Sequence, residues 1–309
     1  LRAGGLVAFP TETVYGLGGH ALDPAAVRRI FAAKGRPAHN PLIVHVPDAH
    51  AARALVAAWP ERAARLADAF WPGPLTLVLP RGPLIPDEVT AGLGTVAVRV
   101  PRHPVALALL RAAAIPVAAP SANPYTRVSP TTAEHVAKGL GERVDLILDG
   151  GPTEVGIESA VVDLSSARPA LLRPGAIERA ALEAVVGPLA RPEGPAAGAP
   201  RPSPGMDTRH YAPGGEVRRF APDQRAQAAH EARAAAATGT RVGALVLEPM
   251  GMGEIEERRL PREPGAYARG LYGALHELED AGCALILVED VPDDDAWAGV
   301  RDRLARAAG

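Results

Sequence analysis

Short apolar runs alternate with amphipathic stretches over residues 1–187, and the spacing of apolar positions switches repeatedly between two and 3.6. That switching predicts interleaved strands and helices, not a bundle or an all-β sandwich. LVAF (6–9), LIVHV (42–46), LTLVLP (75–80), TVAVRVP (95–101), LILDG (146–150), SAVVDLS (159–165) and ALLRPG (170–175) read as strands. DPAAVRRIFAAKG (23–35) reads as a helix, with Asp23 as N-cap, Pro24 at its first position and Gly35 as its stop. Lys34 therefore falls in the last turn, where it is expected to point outward. Further helices are expected over 48–58, 60–70, 103–113 and 131–140, the last capped by Thr131 or Thr132. This order predicts an α/β (α+β) domain over 1–187, built on a large twisted mixed sheet.

Residues 188–215 break the pattern, with seven prolines, five glycines and few large apolar side chains. Proline removes backbone donors and such a stretch builds no core, so it reads as an interdomain linker. Its second half, SPGMDTRHYAP (203–213), carries Met206, Asp207, Arg209, His210 and Tyr211, which a plain spacer does not need. This half is expected to dock as a lid over a site. After it, EVRRF (216–220), a helix over 223–237, RVGALVLE (241–248), a helix over 264–281, ALILVE (284–289) and a helix over 294–307 alternate. They predict a second, smaller Rossmann-like domain over 216–309, one without a G-x-G-x-x-G fingerprint.

Composition sharpens this picture at a few positions. Lys34 and Lys138 are the only lysines, Asn40 and Asn123 the only asparagines, and 31 of the 33 basic residues are arginine. Where arginine replaces lysine almost everywhere, a surviving lysine marks a place where a compact ammonium is needed. The reading is functional for the cluster Lys34, Arg36 and Asn40; for Lys138 a helix-terminal cation suffices. A net charge of −2 speaks against a dedicated nucleic-acid binder. The lone Cys283, in an apolar run, fits packing in a reducing cytosol. No apolar run reaches membrane-spanning length.

The candidate chemistry lies in strands and in the loops that flank them. PTETVYGLG (10–18) supplies hydroxyls and glycines on a loop, with Glu12 able to pair a cation or to orient Lys34. KGRPAHNPL (34–42) gathers two cations and an amide without balancing acids, as an incoming anion would require. His45 interrupts an apolar strand. Arg99 lies inside another strand and needs a carboxylate or phosphate, either from within the protein or from a ligand. APSANPYTRVSP (119–130) adds Ser121, Asn123 and Ser129; Ser159 and Arg173 stand at the edges of two further strands. Hydroxyls, amides and cations without a nucleophile–base pair, a Cys/His metal cluster or a P-loop suit nucleotide binding with phosphoryl or nucleotidyl transfer.

PTETVYGLG, KGRPAHNPL, WPGPLT (71–76), VAVRVPRHP (96–104), APSAN (119–123), GIESAVVDL (156–164) and LLRPG (171–175), in this order, resemble the YrdC-type threonylcarbamoyl-AMP synthases. With the linker and the trailing domain, the chain resembles the two-domain branch of that family. The resemblance implies condensation of L-threonine, bicarbonate (or carbon dioxide) and ATP to threonylcarbamoyl-AMP, with Mg2+ on the phosphates and pyrophosphate released. It implies a threonine pocket of Thr13, His45, Arg99, Ala119 and Ser159. Arg36, Asn40, Thr95, Ser121, Ser129, Arg173 and Tyr211 would form the ATP site, with Lys34 and Arg36 as the catalytic cations. It further implies a cytoplasmic enzyme whose product passes to a tRNA threonylcarbamoyl transferase, with little or no direct tRNA binding. Two rivals remain at this level: a related carbamoyl-adenylating enzyme, and a non-catalytic RNA-binding or ribosome-assembly module.

Overall fold

The computed structural model describes residues 1–190, 210–253 and 255–309. Nine strands form the first sheet: β1 (Val7–Pro10), β2 (Tyr15–His20), β3 (Ile43–His45), β4 (Leu75–Pro80), β5 (Thr95–Arg99), β6 (Val117–Ala118), β7 (Leu146–Ile147), β8 (Ala160–Asp163) and β9 (Ala170–Arg173). Their order is β7-β1-β2-β6-β3-β5-β4-β8-β9. The pairs β1–β7, β3–β5 and β4–β8 are parallel and the other pairs antiparallel, so the sheet is mixed as expected. The parallel register of β3 and β5 puts His45 beside Arg99.

The expected loop over 10–18 is shorter than the sequence implied. Tyr15–His20 is a strand, and its glycines serve packing instead of turning. A Cβ on Gly18 would stand 2.9 Å from both Phe9 Cε1 and Val117 Cγ1. The loop proper is confined to 11–14. The helix Pro24–Lys34 follows the predicted signals: Asp23 accepts from the Ala25 amide, and Gly35 stops the helix in the left-handed region at φ 64°. Leu17, Val27, Ile30, Leu66, Leu77 and Val98 join the main core on the helical side of the sheet. A helix over Arg179–Val186, not foreseen from the sequence, packs Leu182, Val186 and then Leu189 into the same core. Ala190 still bridges Ala170, so packing against the first sheet continues past 187.

The second sheet is wholly parallel, with β10 (Glu216–Phe220), β11 (Val242–Val246), β12 (Glu256–Arg259) and β13 (Leu285–Glu289) in the order β10-β13-β11-β12. Strand β12 is EERR, which the hydrophobic pattern could not reveal; charge is what a sheet edge tolerates and often needs. Helices Arg225–Ala237, Pro264–Asp280 and Ala298–Ala308 complete this domain. It is not tethered loosely. Val14, Val128 and Ile157 from the first domain share one apolar cluster with Tyr211, Leu271, Tyr272, Val300 and Leu304. The approach is close enough that a Cβ on Gly299 would lie 2.6 Å from the Gly175 carbonyl oxygen. No helix among the described residues is long and apolar enough to cross a membrane.

Candidate active site

A cleft forms where the β1–β2 turn (Thr11, Thr13), β3 (Ile43, His45), the end of β5 (Arg99) and the loop after β6 (Ala119, Ser121) converge. Arg36, Glu158, Arg173, His210 and Tyr211 close its other side. The turn is fixed by its own hydroxyls: Thr11 Oγ1 donates to the Val14 carbonyl at 2.6 Å and lies 2.8 Å from Thr13 Oγ1.

Sequence left two partners open for Arg99, and the structure supplies the internal one. Its Nη2 donates to Glu12 Oε1 at 2.7 Å and its Nε to the Gly73 carbonyl at 3.3 Å. Glu12 Oε2 in turn accepts from the Arg102 amide. Burial opposes ionisation of Glu12, but Arg99 and these hydrogen bonds hold its carboxyl below the usual range. Glu12 thus orients Arg99, not Lys34, while the guanidinium still lines the cleft. His45 is buried beside it, and burial together with the neighbouring guanidinium pushes its imidazole down to about 3. A neutral ring with no hydrogen-bond partner on Nδ1 among the described residues is ready to meet a polar ligand atom.

Lys34 is corrected most. It does not point outward; it is 3% exposed, and its ammonium donates to the carbonyls of Ser121 at 2.6 Å and Asn123 at 2.5 Å. Asn123 Oδ1 is a third oxygen at 3.5 Å. Burial and the nearby Arg36 drive its pKa well below that of an ordinary lysine. Lys34 thus sits behind the 119–123 loop and braces it from inside. Arg36 reaches the cleft itself, steadied by the carbonyls of Asn40 and Pro41. Asn40 donates to the Tyr125 hydroxyl at 2.8 Å.

Of the other expected residues, Thr13, His45, Arg99, Ala119, Ser121, Arg173 and Tyr211 line the cleft. Ser159 and Ser129 stand behind that lining. Ser159 Oγ is 2.8 Å from Thr76 Oγ1 and accepts from Arg173 Nη2, while Ser129 Oγ donates to Glu158 Oε1 at 2.6 Å. Thr95 opens β5, outside the lining. Of the linker, residues 191–209 lie outside the described residues, and with them most of the expected lid, 203–209. Its end is docked: the His210 amide donates to the Arg306 carbonyl and the Ala212 amide to that of Thr126. Glu158 is the charged cleft residue that sequence reasoning missed. It sits inside a quoted motif, but only its packing reveals it, since two of its partners, Tyr272 and Arg303, lie more than a hundred residues away. Among the described residues no group of three or more His, Cys, Asp or Glu side chains is placed to hold a metal.

Residues 1–175 match the family described as telomere recombination, and residues 177–309 match the one described as threonylcarbamoyl-AMP synthase, C-terminal domain. The threonylcarbamoyl-AMP synthase of Bacillus subtilis is 43% identical over 317 residues, covering 100% of this chain and 91% of the relative. The chain belongs to the threonylcarbamoyl-AMP synthase family. The Pyrococcus abyssi relative of the same name is 42% identical, covering 100% of this chain and 92% of its own. The crystal structure of P. abyssi Sua5 complexed with L-threonine matches with a TM-score of 0.93 at 42% identity, over 99% of this chain and 91% of that one. The likeness spans both sheets.

Proposed function

We propose that the cleft makes threonylcarbamoyl-AMP from L-threonine, bicarbonate or carbon dioxide, and ATP. The observation that carries this reading is the convergence of Arg36, Arg99 and Arg173 on one cleft beside neutral His45 and the Thr13 and Ser121 side chains. Three guanidiniums in a small space suit a carboxylate and a chain of phosphates. Arg99, preoriented by Glu12, takes the threonine carboxylate, with Thr13, His45, Ser159 and the Ala119 backbone around the rest of the amino acid. Arg36, Asn40, Thr95, Ser121, Ser129, Arg173 and Tyr211 form the nucleotide side. Lys34 holds the 121–123 carbonyls that shape it.

The threonine amine adds to carbon dioxide and loses a proton, giving a carbamate. A carbamate oxygen attacks the α-phosphate in line; the α–β phosphoanhydride bond breaks and pyrophosphate leaves with its electron pair. The chain's part is positioning and offsetting of charge by fixed guanidiniums. Mg2+ enters on the triphosphate, as part of the substrate: Glu158, a carboxylate lining the cleft, already has both oxygens engaged. The reaction belongs in the cytoplasm, and the acyl-adenylate passes to a tRNA-modifying transferase.

Pyrophosphate release from ATP that needs both threonine and bicarbonate tests the reading and excludes the RNA-binding and carbamoyl-adenylating alternatives. Arg99→Lys keeps a cation beside Glu12 but loses the fork, so KM for threonine should rise far more than KM for ATP. Equal effects on both would remove Arg99 from the threonine pocket.

A further inference from the structure

Glu158 poses a question of charge. A buried carboxylate lining a cleft meant for anions would repel them unless its charge were already engaged. It is engaged, mostly from the second domain. Oε2 accepts from Arg303 Nε at 2.8 Å and from the Tyr272 hydroxyl at 2.9 Å, while Oε1 accepts from Ser129. Arg303 comes from the last helix of the chain and has a side chain with no exposure at all. Its Nη2 donates to the Glu158 carbonyl at 3.0 Å and its Nη1 to the Pro174 carbonyl at 3.0 Å.

Those two carbonyls flank the residues that hold Arg173. Pro174 is its neighbour in sequence, and Ser159, next to Glu158, accepts from Arg173 Nε and Nη2 through its carbonyl and hydroxyl. The same Arg303 guanidinium lies 5.5 Å from the centre of the Tyr211 ring, which also packs 5.9 Å from Tyr272. Tyr211 has φ 60°, a conformation costly for a side-chain-bearing residue and held only where the surroundings dictate it. Arg303 and Tyr272 thus both touch Glu158, the partner of Ser129, and the ring of Tyr211, and Arg303 also holds the carbonyl next to Arg173.

We propose that Arg303 and Tyr272 are positioning residues for the nucleotide half of the site, acting through Glu158 and Tyr211. The proposal rests on the reading that Ser129, Arg173 and Tyr211 meet ATP. Without Arg303, the Glu158 and Pro174 carbonyls and the Tyr211 ring lose their brace, so Arg173 and Tyr211 shift from the phosphates. The uncompensated Glu158 charge adds to that shift. In the parent, burial pushes the Glu158 carboxyl up but Arg303 and Arg173 hold it down at about 2, so the group they surround is a carboxylate. The second domain is therefore part of the site's electrostatics.

The test uses full-length variants, with thermal midpoint, threonine affinity by calorimetry, and KM and kcat for ATP as separate readouts. Arg303→Met leaves Glu158 buried with too few donors and lowers the thermal midpoint. Adding Glu158→Gln removes the uncompensated charge and restores much of that midpoint. KM for ATP in the double variant stays raised about tenfold or more, as misplaced contacts predict, while threonine affinity stays within about twofold of the parent. Tyr272→Phe deletes one hydroxyl from Glu158, raises KM for ATP in the same direction, and decides the matter alone if the double variant does not fold. Arg303→Lys, which keeps the charge, recovers part of the loss. Parental KM for ATP in Tyr272→Phe and in the double variant, or threonine affinity falling as far as ATP's, would overturn the proposal. Arg173→Ala separates the two layers: if it leaves KM for ATP unchanged, the underlying ATP-site reading has failed, whatever Arg303 does.

Discussion

At the scale of single residues, one of the two lysines and one of the two asparagines turned out to be neighbours. Lys34 donates to the carbonyl of Asn123 and lies within reach of its side-chain oxygen. Scarcity marked both positions in the sequence, but the direction of the ammonium, inward onto carbonyls, depends on a loop 87 to 89 residues away. Lys34→Ala should lower turnover by about 100-fold, the scale of losing preorganised polar support at a reaction centre. Lys34→Arg should also be impaired, since a planar fork does not replace a compact ammonium among three oxygens. Pyrophosphate release in both variants checks this, and parental rates in both would defeat it. His45 carries a second expectation. Its ring takes a proton near 6.5 when unfolded but only near 3 when folded. Between those values the unfolded chain binds the extra proton, so stability falls as pH drops from about 6.5 toward 3. His45→Gln should make this slope shallower by up to about 1.4 kcal/mol per pH unit, read from denaturant unfolding between pH 6 and 4. His276, pushed down to about 4 by burial and the stacked His135, supplies part of the slope that remains.

At the scale of elements, apolar periodicity found the strands built on runs of large apolar residues and missed two that lack such runs. β4 and β5 were legible because LTLVLP and TVAVR present large residues to the core. β2 was not, because its packing is made by what glycine lacks, and β12 was not, because its residues are all charged. Gly18 gives this difference a measurable form. Alanine there brings a methyl to 2.9 Å from Phe9 and Val117 and to 3.1 Å from the Val7 carbonyl, which a paired strand cannot move aside freely. Gly18→Ala should cost about 1–3 kcal/mol, as overpacking of a filled core does. A denaturation midpoint unchanged from the parent would show that β1 and β6 yield more easily than the packing implies.

At the scale of the whole molecule, the two-sheet architecture and most cleft residues were visible in the ordered motifs. The support that the second domain gives to Glu158 in the cleft wall was not. Contacts such as Tyr272 with Glu158 and Arg303 with Glu158 span 114 and 145 residues, and nothing local in either partner announces them. They set the terms for removing the second domain. A chain ending after Ala190 keeps the first core complete, including Leu189, whereas a cut at 187 would strip that residue out. It keeps Thr13, His45 and the Arg99–Glu12 pair, and loses Tyr211, Tyr272 and Arg303 together. It also uncovers Val14, Val128 and Ile157, so it should associate at high concentration. Threonine binding by calorimetry should persist in weakened form, while pyrophosphate release falls by about 100-fold or more because the nucleotide side is dismantled. Parental turnover by this shortened chain would mean that the first domain assembles the nucleotide site unaided and that the second serves only to cover it.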